Sequence, residues 1–232
     1  TGTQTLTNKT LTAPVINSPT GDFIKIGGTN FTNSLLVGHS TTGTLNSALS
    51  NTGVGIDALD ALTSGDSNTG IGARALSAVS FGVKNTSVGA DSGKSLSSGS
   101  ANTSLGFQNL YSNQGGTNNV AIGQLALEDS TASFNTGVGS NALLEVSNSS
   151  YNIGLGYQAG DNITTGSGNV IIGTVDAAAV DSARTLKIAG YDGSTTTTWI
   201  EGSGTGVLTF NAANVTQQAL TSSSNAVAWD AS

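Results

Sequence analysis

Hydrophobic and polar positions in this chain recur on a fixed grid, neither helical nor that of long strands. A five-residue pattern, Asn-Thr-small-aliphatic-Gly, returns every 17 residues with Asn51 and Gly55, Asn68 and Gly72, Asn85 and Gly89, Asn102 and Gly106, Asn119 and Gly123, Asn135 and Gly139, Asn152 and Gly156, and Asn169 and Gly173. One step, from Asn119 to Asn135, is 16 residues. Ser34 and Gly38 open the series with Ser in the Asn position, which makes nine copies. At a Gly frequency of about 14%, nine coincident glycines would arise by chance on the order of once in fifty million registers. A second column lies four residues beyond the Gly, at Leu59, Leu76, Leu110, Leu127 and Leu143, with Ala before it in four of the five.

A period this short excludes helical hairpin repeats, which need roughly 33 residues or more, and points to a β-solenoid. Alternation over the five-residue pattern puts Val54, Ile71, Val88, Leu105, Ile122, Val138, Leu155 and Ile172 on one strand face and Gly, Ser or Ala on the other. The expectation is that the aliphatic side is buried while the bare side admits a close backbone neighbour. Gly at the strand end suits a corner with positive φ. Stacked in register, the Asn column predicts an amide ladder. At about 4.8 Å per coil, nine coils give a rod of roughly 43 Å. With one or two large apolar residues per coil the lumen of a single chain looks underfilled, which predicts association along its length.

Outside the repeats, strand-like segments are expected at residues 3–7, 9–12 and 22–26, and again at 185–189, 196–200 and 206–210, with turns at Asp192-Gly193 and 202–204. This divides the chain into a β-rich attachment segment at 1–33, a repeat region at 34–175, and a β cap or adaptor at 176–232 that continues into a further module. A start without Met and the end at Ser232 suggest a piece of something longer.

Composition narrows the chemistry. The 232 residues are 36% hydrophobic but only 9% charged, against about 25% charged in ordinary domains. There is no Cys, so thiolate chemistry and Cys-based metal sites are excluded. His39 is the single histidine and reads as a turn residue after Gly38. A net charge of −7 with scattered basic residues argues against nucleic acid, and no apolar run approaches the roughly 18–20 residues needed to span a bilayer. No cofactor or metal is expected.

Gly53 to Ala58 matches a dinucleotide fingerprint, but so do three later coils, and no βαβ unit surrounds any of them. Asn-Thr-Ser and related sequons follow from the Asn and Thr content. Asp57, Asp60 and Asp66, and Glu128 with Asp129, are acids close in sequence; they read as solvated turn residues, with a glycosidase pair or a calcium site as the alternatives. Phe107, Tyr111, Phe134, Tyr151 and Tyr157 either form a stacking surface for sugar or pack between coils or subunits.

The Asn-Thr-Gly-Val-Gly coils over 34–173 resemble the head repeats of YadA-like trimeric adhesins, and are still more similar to 17-residue repeats of bacteriophage fibre proteins. Residues 1–14, 185–210 and 219–230 resemble segments found in phage tail and fibre proteins. The resemblance implies a left-handed parallel β-roll in an intertwined homotrimer. It further implies a non-enzymatic structural fibre of a phage virion, on tail or capsid, acting as rigid spacer or host-attachment element. Its partners would be its own copies, other virion proteins, and host surface polysaccharide or another receptor, with no nucleic acid and no membrane insertion. The alternatives are a trimeric autotransporter-type adhesin head on a bacterial surface and a polysaccharide-degrading tailspike.

Overall fold

The computed structural model describes residues 24–26, 32–38 and 45–211. His39 and the segments at 3–7, 9–12 and 219–230 lie outside the described residues. The described residues are all-β, with thirteen strands in one sheet whose spatial order follows the sequence.

Strand β1 (Ile24–Ile26) pairs antiparallel with β2 (Leu35–Val37). From β2 the chain climbs as a parallel β-solenoid of about nine coils: β3 (Thr52–Val54), β4 (Thr69–Ile71), β5 (Thr86–Val88), β6 (Thr103–Leu105), β7 (Val120–Ile122), β8 (Thr136–Val138), β9 (Ile153–Leu155) and β10 (Val170–Ile172). Identical positions face each other across rungs, as in Thr52 with Thr69 and Val54 with Ile71. The 16-residue step leaves this register intact, since Val120 still pairs with Thr136. β11 (Leu186–Tyr191) continues the parallel ladder on β10, then turns back through β12 (Thr196–Gly202) and β13 (Leu208–Phe210), both antiparallel.

Three-residue strands cannot hold a sheet alone, and the backbone bonds continue around each coil. Thr52 N–H donates to Asn68 O at 2.8 Å, Leu59 N–H to Ala75 O at 3.1 Å, and Thr63 N–H to Ser80 O at 3.2 Å. Turning so tightly takes several left-handed backbone positions per coil. Besides the repeated Gly, the residue before each Asn, the residue two past each Gly from Gly55 to Gly156 and the Leu column all have positive φ, as in Ser67 (59°), Arg74 (57°) and Leu76 (53°). Such conformations cost an L-residue roughly 1–2 kcal/mol each, which the stacked hydrogen bonds must offset. At Gly106 the demand is double: φ is +139°, and a Cβ there would sit 2.5 Å from the carbonyl oxygen of Gly123.

The strand faces are reversed relative to the sequence expectation. Val54, Ile71, Leu105 and Leu155 point outward, 37–49% exposed, while the small residue before each faces the lumen. Leu59, Leu76, Leu110, Leu127 and Leu143 occupy that lumen from the opposite wall, joined by Leu62, Val79, Leu96, Val146 and Ile163, and all are fully buried. The Leu leave no room for a second bulky side: a Cβ at Gly154 would meet Leu143 Cγ at 2.7 Å. The lumen of one chain is therefore filled, and the underfilled interior inferred from composition is corrected; the second wall of apolar residues was not visible as a strand pattern. Where Gly160 interrupts the Leu column, Ile163 and Ile171 take the space. Where Gly93 interrupts it, the space is polar instead, with Ser104 Oγ bonded to Ser87 Oγ (2.6 Å) and to Ser92 Oγ (2.7 Å). That polar waist divides the core into two apolar clusters, one from Leu36 to Leu96 and one from Leu110 to Ala177.

Candidate functional site

The Asn column forms a buried ladder. Asn68 Nδ2 donates to Asn51 Oδ1 at 3.1 Å, and the same contact recurs at 3.0 Å from Asn85 to Asn68 and at 3.1 Å from Asn102 to Asn85 and from Asn119 to Asn102. Each amide also donates to a turn carbonyl of its own coil, as Asn51 does to Gly65 O at 2.8 Å. Asn135, after the shortened step, makes only the backbone form of the contact, its N–H donating to Asn119 Oδ1 at 2.9 Å while its side-chain amide donates to Ser149 O. Asn169 restores the side-chain contact with Asn152 at 3.0 Å. Ser34 Oγ starts the ladder by accepting from Asn51 N–H at 2.8 Å, and Thr185 ends it on Asn169 Oδ1 at 2.7 Å. Thr185 was missed as a final rung because its residue type breaks the pattern. The Gly column, Gly38, Gly55, Gly72, Gly89, Gly106, Gly123, Gly139, Gly156 and Gly173, has positive φ throughout. Both columns are structural, pointing inward or tucked into corners.

The outer strand face is where apolar groups meet solvent. Val54, Ile56, Ile71, Leu105, Phe107, Ile153, Leu155 and Tyr157 are all exposed there, along the strands or just past the corner Gly. Contiguous apolar surface of this kind is uncommon on monomers.

The five aromatics do not form one cluster. Phe107 and Tyr157 share the column after the corner Gly, whereas Tyr111 is half-buried and lies under Lys94, whose Nζ donates to its hydroxyl at 3.1 Å and sits 5.0 Å from the ring centre. Phe134 and Tyr151 precede the Asn on consecutive rungs and stack in parallel at 5.0 Å between centroids. Both have positive φ (62° and 65°), uncommon for bulky residues.

Charged groups gather on the turns. Arg74 makes a bidentate pair with Asp91, both contacts 2.6 Å, and Lys94 approaches Asp91 at 3.6 Å. The Arg74 hydrogen bonds, reinforced by the charges of Arg74 and Lys94, hold the Asp91 carboxyl below its ordinary range. The signal that could have revealed this pair is its offset of one repeat, 17 residues. Of the acids singled out from sequence, Asp66 accepts from Leu49 N–H at 2.7 Å. Burial, then the Asp129 charge, pushes Glu128 upward. The most perturbed acid is one the sequence did not mark. Asp161, at the last full coil, is raised to about 7, first by burial, then by a hydrogen bond with Asp176 and the charges of Asp176 and Glu145. It borders a cleft of about 370 Å³ lined also by Gln158, Thr174, Val175, Asp176, Lys187 and Thr196. Lys187 is engaged with Glu201 at 3.7 Å.

No group of three or more His, Asp or Glu placed to hold a metal occurs among the described residues. The described residues hold no helix long and apolar enough to cross a membrane. No family model, curated protein or solved structure matches this chain.

Proposed function

We propose that this chain is a non-enzymatic structural element of a phage fibre, assembling as a homotrimer along its outer strand face and serving as a rigid spacer that presents the particle to a host surface. The observation that carries this reading is the apolar strip on that face. In the coils the core is complete without it, so Val54, Ile71, Leu105 and Leu155 gain nothing for a lone chain by being large and apolar. Packed against a second copy, each would leave water at a gain of about 25 cal/mol per Å². A repeated strip the length of a rod suits a partner with the same repeat, which another copy of the chain supplies. The number three comes from the resemblance to trimeric fibre repeats. Stiffness follows from the coil-to-coil hydrogen bonds, and multivalency lets weak individual contacts add to firm attachment.

Light scattering of the purified chain at micromolar concentration tests the assembly, with an expected mass of three times 22.9 kDa. Leu105→Glu and Ile71→Glu should return it to monomer while leaving the β signature by circular dichroism. A compact monomer for the unaltered chain overturns the reading. Labelling of intact particles with an antibody to the chain tests the virion location.

A further inference from the structure

We propose that the corner formed by Tyr151, Gly168 and Arg184 binds an acidic saccharide, with the sugar ring on the open face of Tyr151 and its carboxylate on Arg184. This rests on reading the chain as a host-attachment element and names the ligand class of that attachment.

The residue before each Asn stands at an exposed left-handed corner, and on most rungs it is small or polar, as in Ser67, Lys84, Ala101 and Asn118. The outer strand column is aliphatic on every rung; this one is not, so it belongs to the solvated edge and not to the apolar strip. Two aromatics on consecutive rungs depart from that rule. Phe134 and Tyr151 cover no core, and Tyr151 is 62% exposed in a conformation that bulky residues seldom adopt. The fold needs the left-handed corner on every rung but does not need a bulky residue in it, and a side chain kept where the conformation disfavours it is an indication of function.

The geometry selects the ligand. Their centroid separation of 5.0 Å is close to the rung spacing of a β-sheet, so the two rings stack along the rod and Phe134 occupies one face of Tyr151. On the next rung the same corner is Gly168, φ +75°, which contributes no side chain over the second face. One rung further stands Arg184, exposed, whose Cγ lies 3.4 Å from where a Gly168 Cβ would be. The result is an aromatic floor, a rung with no side chain of its own, and the stem of an exposed Arg packed against that rung, from which its guanidinium can reach a ligand on Tyr151. A pyranose ring presents an apolar C–H face that can pack on an aromatic ring. A guanidinium pairs with a carboxylate through two parallel hydrogen bonds. A saccharide carrying a carboxylate uses both. The chain is acidic overall, yet the charged residues of this column, Lys84 and Arg184, are both basic.

The test is isothermal titration of the full chain with oligogalacturonate, hyaluronan oligosaccharides and oligosialic acid, with dextran as neutral control, at low and at 0.5 M NaCl. At least one acidic probe should bind at least tenfold more tightly than dextran, and less so in high salt. Tyr151→Ala should weaken that binding at least tenfold. Arg184→Gln should bring it to the level of dextran, and Phe81→Ala, at an exposed site elsewhere, should change nothing. Light scattering on every variant separates this from the assembly reading. An unaltered trimer that binds none of the acidic probes, or that binds them equally in Tyr151→Ala and Arg184→Gln, overturns the ligand site and leaves the fibre reading standing. A change of mass in Tyr151→Ala assigns the pair to the subunit interface and overturns the proposal. A monomeric unaltered chain that still binds through Tyr151 and Arg184 overturns the assembly alone.

Discussion

In the coils each strand is three residues long, yet it has a neighbour on both edges and packed leucines behind it. β12 is seven residues long and mostly exposed; β13, at the free edge of the sheet, is exposed at all three residues. Tyr191, Trp199, Leu208 and Phe210 all face solvent in substantial part, although the Trp199 ring lies over Gly190. Strand length is thus a poor guide to stability here. Short strands closed into coils bury an inward column on every rung, whereas longer antiparallel strands without a layer behind them bury little. Hydrogen exchange should show this directly, with amides of β4–β9 protected far beyond those of β12 and β13.

The sharpest way to break the coil side of the contrast is Gly106→Val. Left-handed strain and a collision with the Gly123 carbonyl together should cost about 3–5 kcal/mol. The melting temperature should fall by many degrees, while Ser98→Val, on an exposed turn, should be silent. Equal tolerance of both would mean the Gly column is no backbone requirement.

Next in size is Asn102→Ala. It removes the donor to Gly116 O and Asn85 Oδ1 and the acceptor for Asn119, leaving buried groups unpaired at about 2–3 kcal/mol in all. Denaturant melts should place it below Gly106→Val and well above any change in β12.

At the junction of the two regions, Asp161→Asn gives a pH-dependent answer. The Asp161 carboxyl is raised from 3.8 to about 7 by the fold, so the folded state holds a proton that the unfolded state releases. Its effect is therefore to lower stability progressively as pH rises from about 4 to about 7. The Asn variant should melt higher than the parent at pH 8, and the gap should close as pH falls to 4. A gap independent of pH would show that Asp161 does not titrate in this range.

The smallest effect is expected on the cap. Trp199→Ser should cost about 1 kcal/mol or less in the isolated chain, since half of the ring is already in water. A loss as large as that of Asn102→Ala would show that β12 packs against a partner copy.

The repeat, the all-β class, the solenoid and the Asn ladder were legible because each is a column that recurs at one spacing, and Asn102 or Gly106 needs only its own position to be read. The inside and outside of the strand were not. Alternation separates Val54 from Gly53 but does not say which faces the lumen; that is decided by Leu59 arriving from the far wall. The site residues divide the same way. Phe134 and Tyr151 were visible as aromatics, but their stacking depends on their sharing a corner column, and the importance of Gly168 and Arg184 lies in what the rungs beside them carry. Asp161 and Asp176 meet only because the last coil turns into β11, outside the repeat, so no period could pair them.

The 16-residue step has a further consequence. Between Asn119 and Asn135 the missing residue falls in the polar turn, and the strands on both sides keep their partners and their hydrogen bonds. The sheet therefore counts coils and is indifferent to the length of the turn joining them. Growth or loss by whole repeats changes such a rod in increments of about 4.8 Å while keeping the strand register. Excision of residues 86–102 should keep the register but cost stability, because it removes Ser87 and Ser92, the partners of Ser104, and Asp91, the partner of Arg74; where the coils are alike, the distance at which the two ends are held apart becomes a quantity that genetic recombination can set in steps.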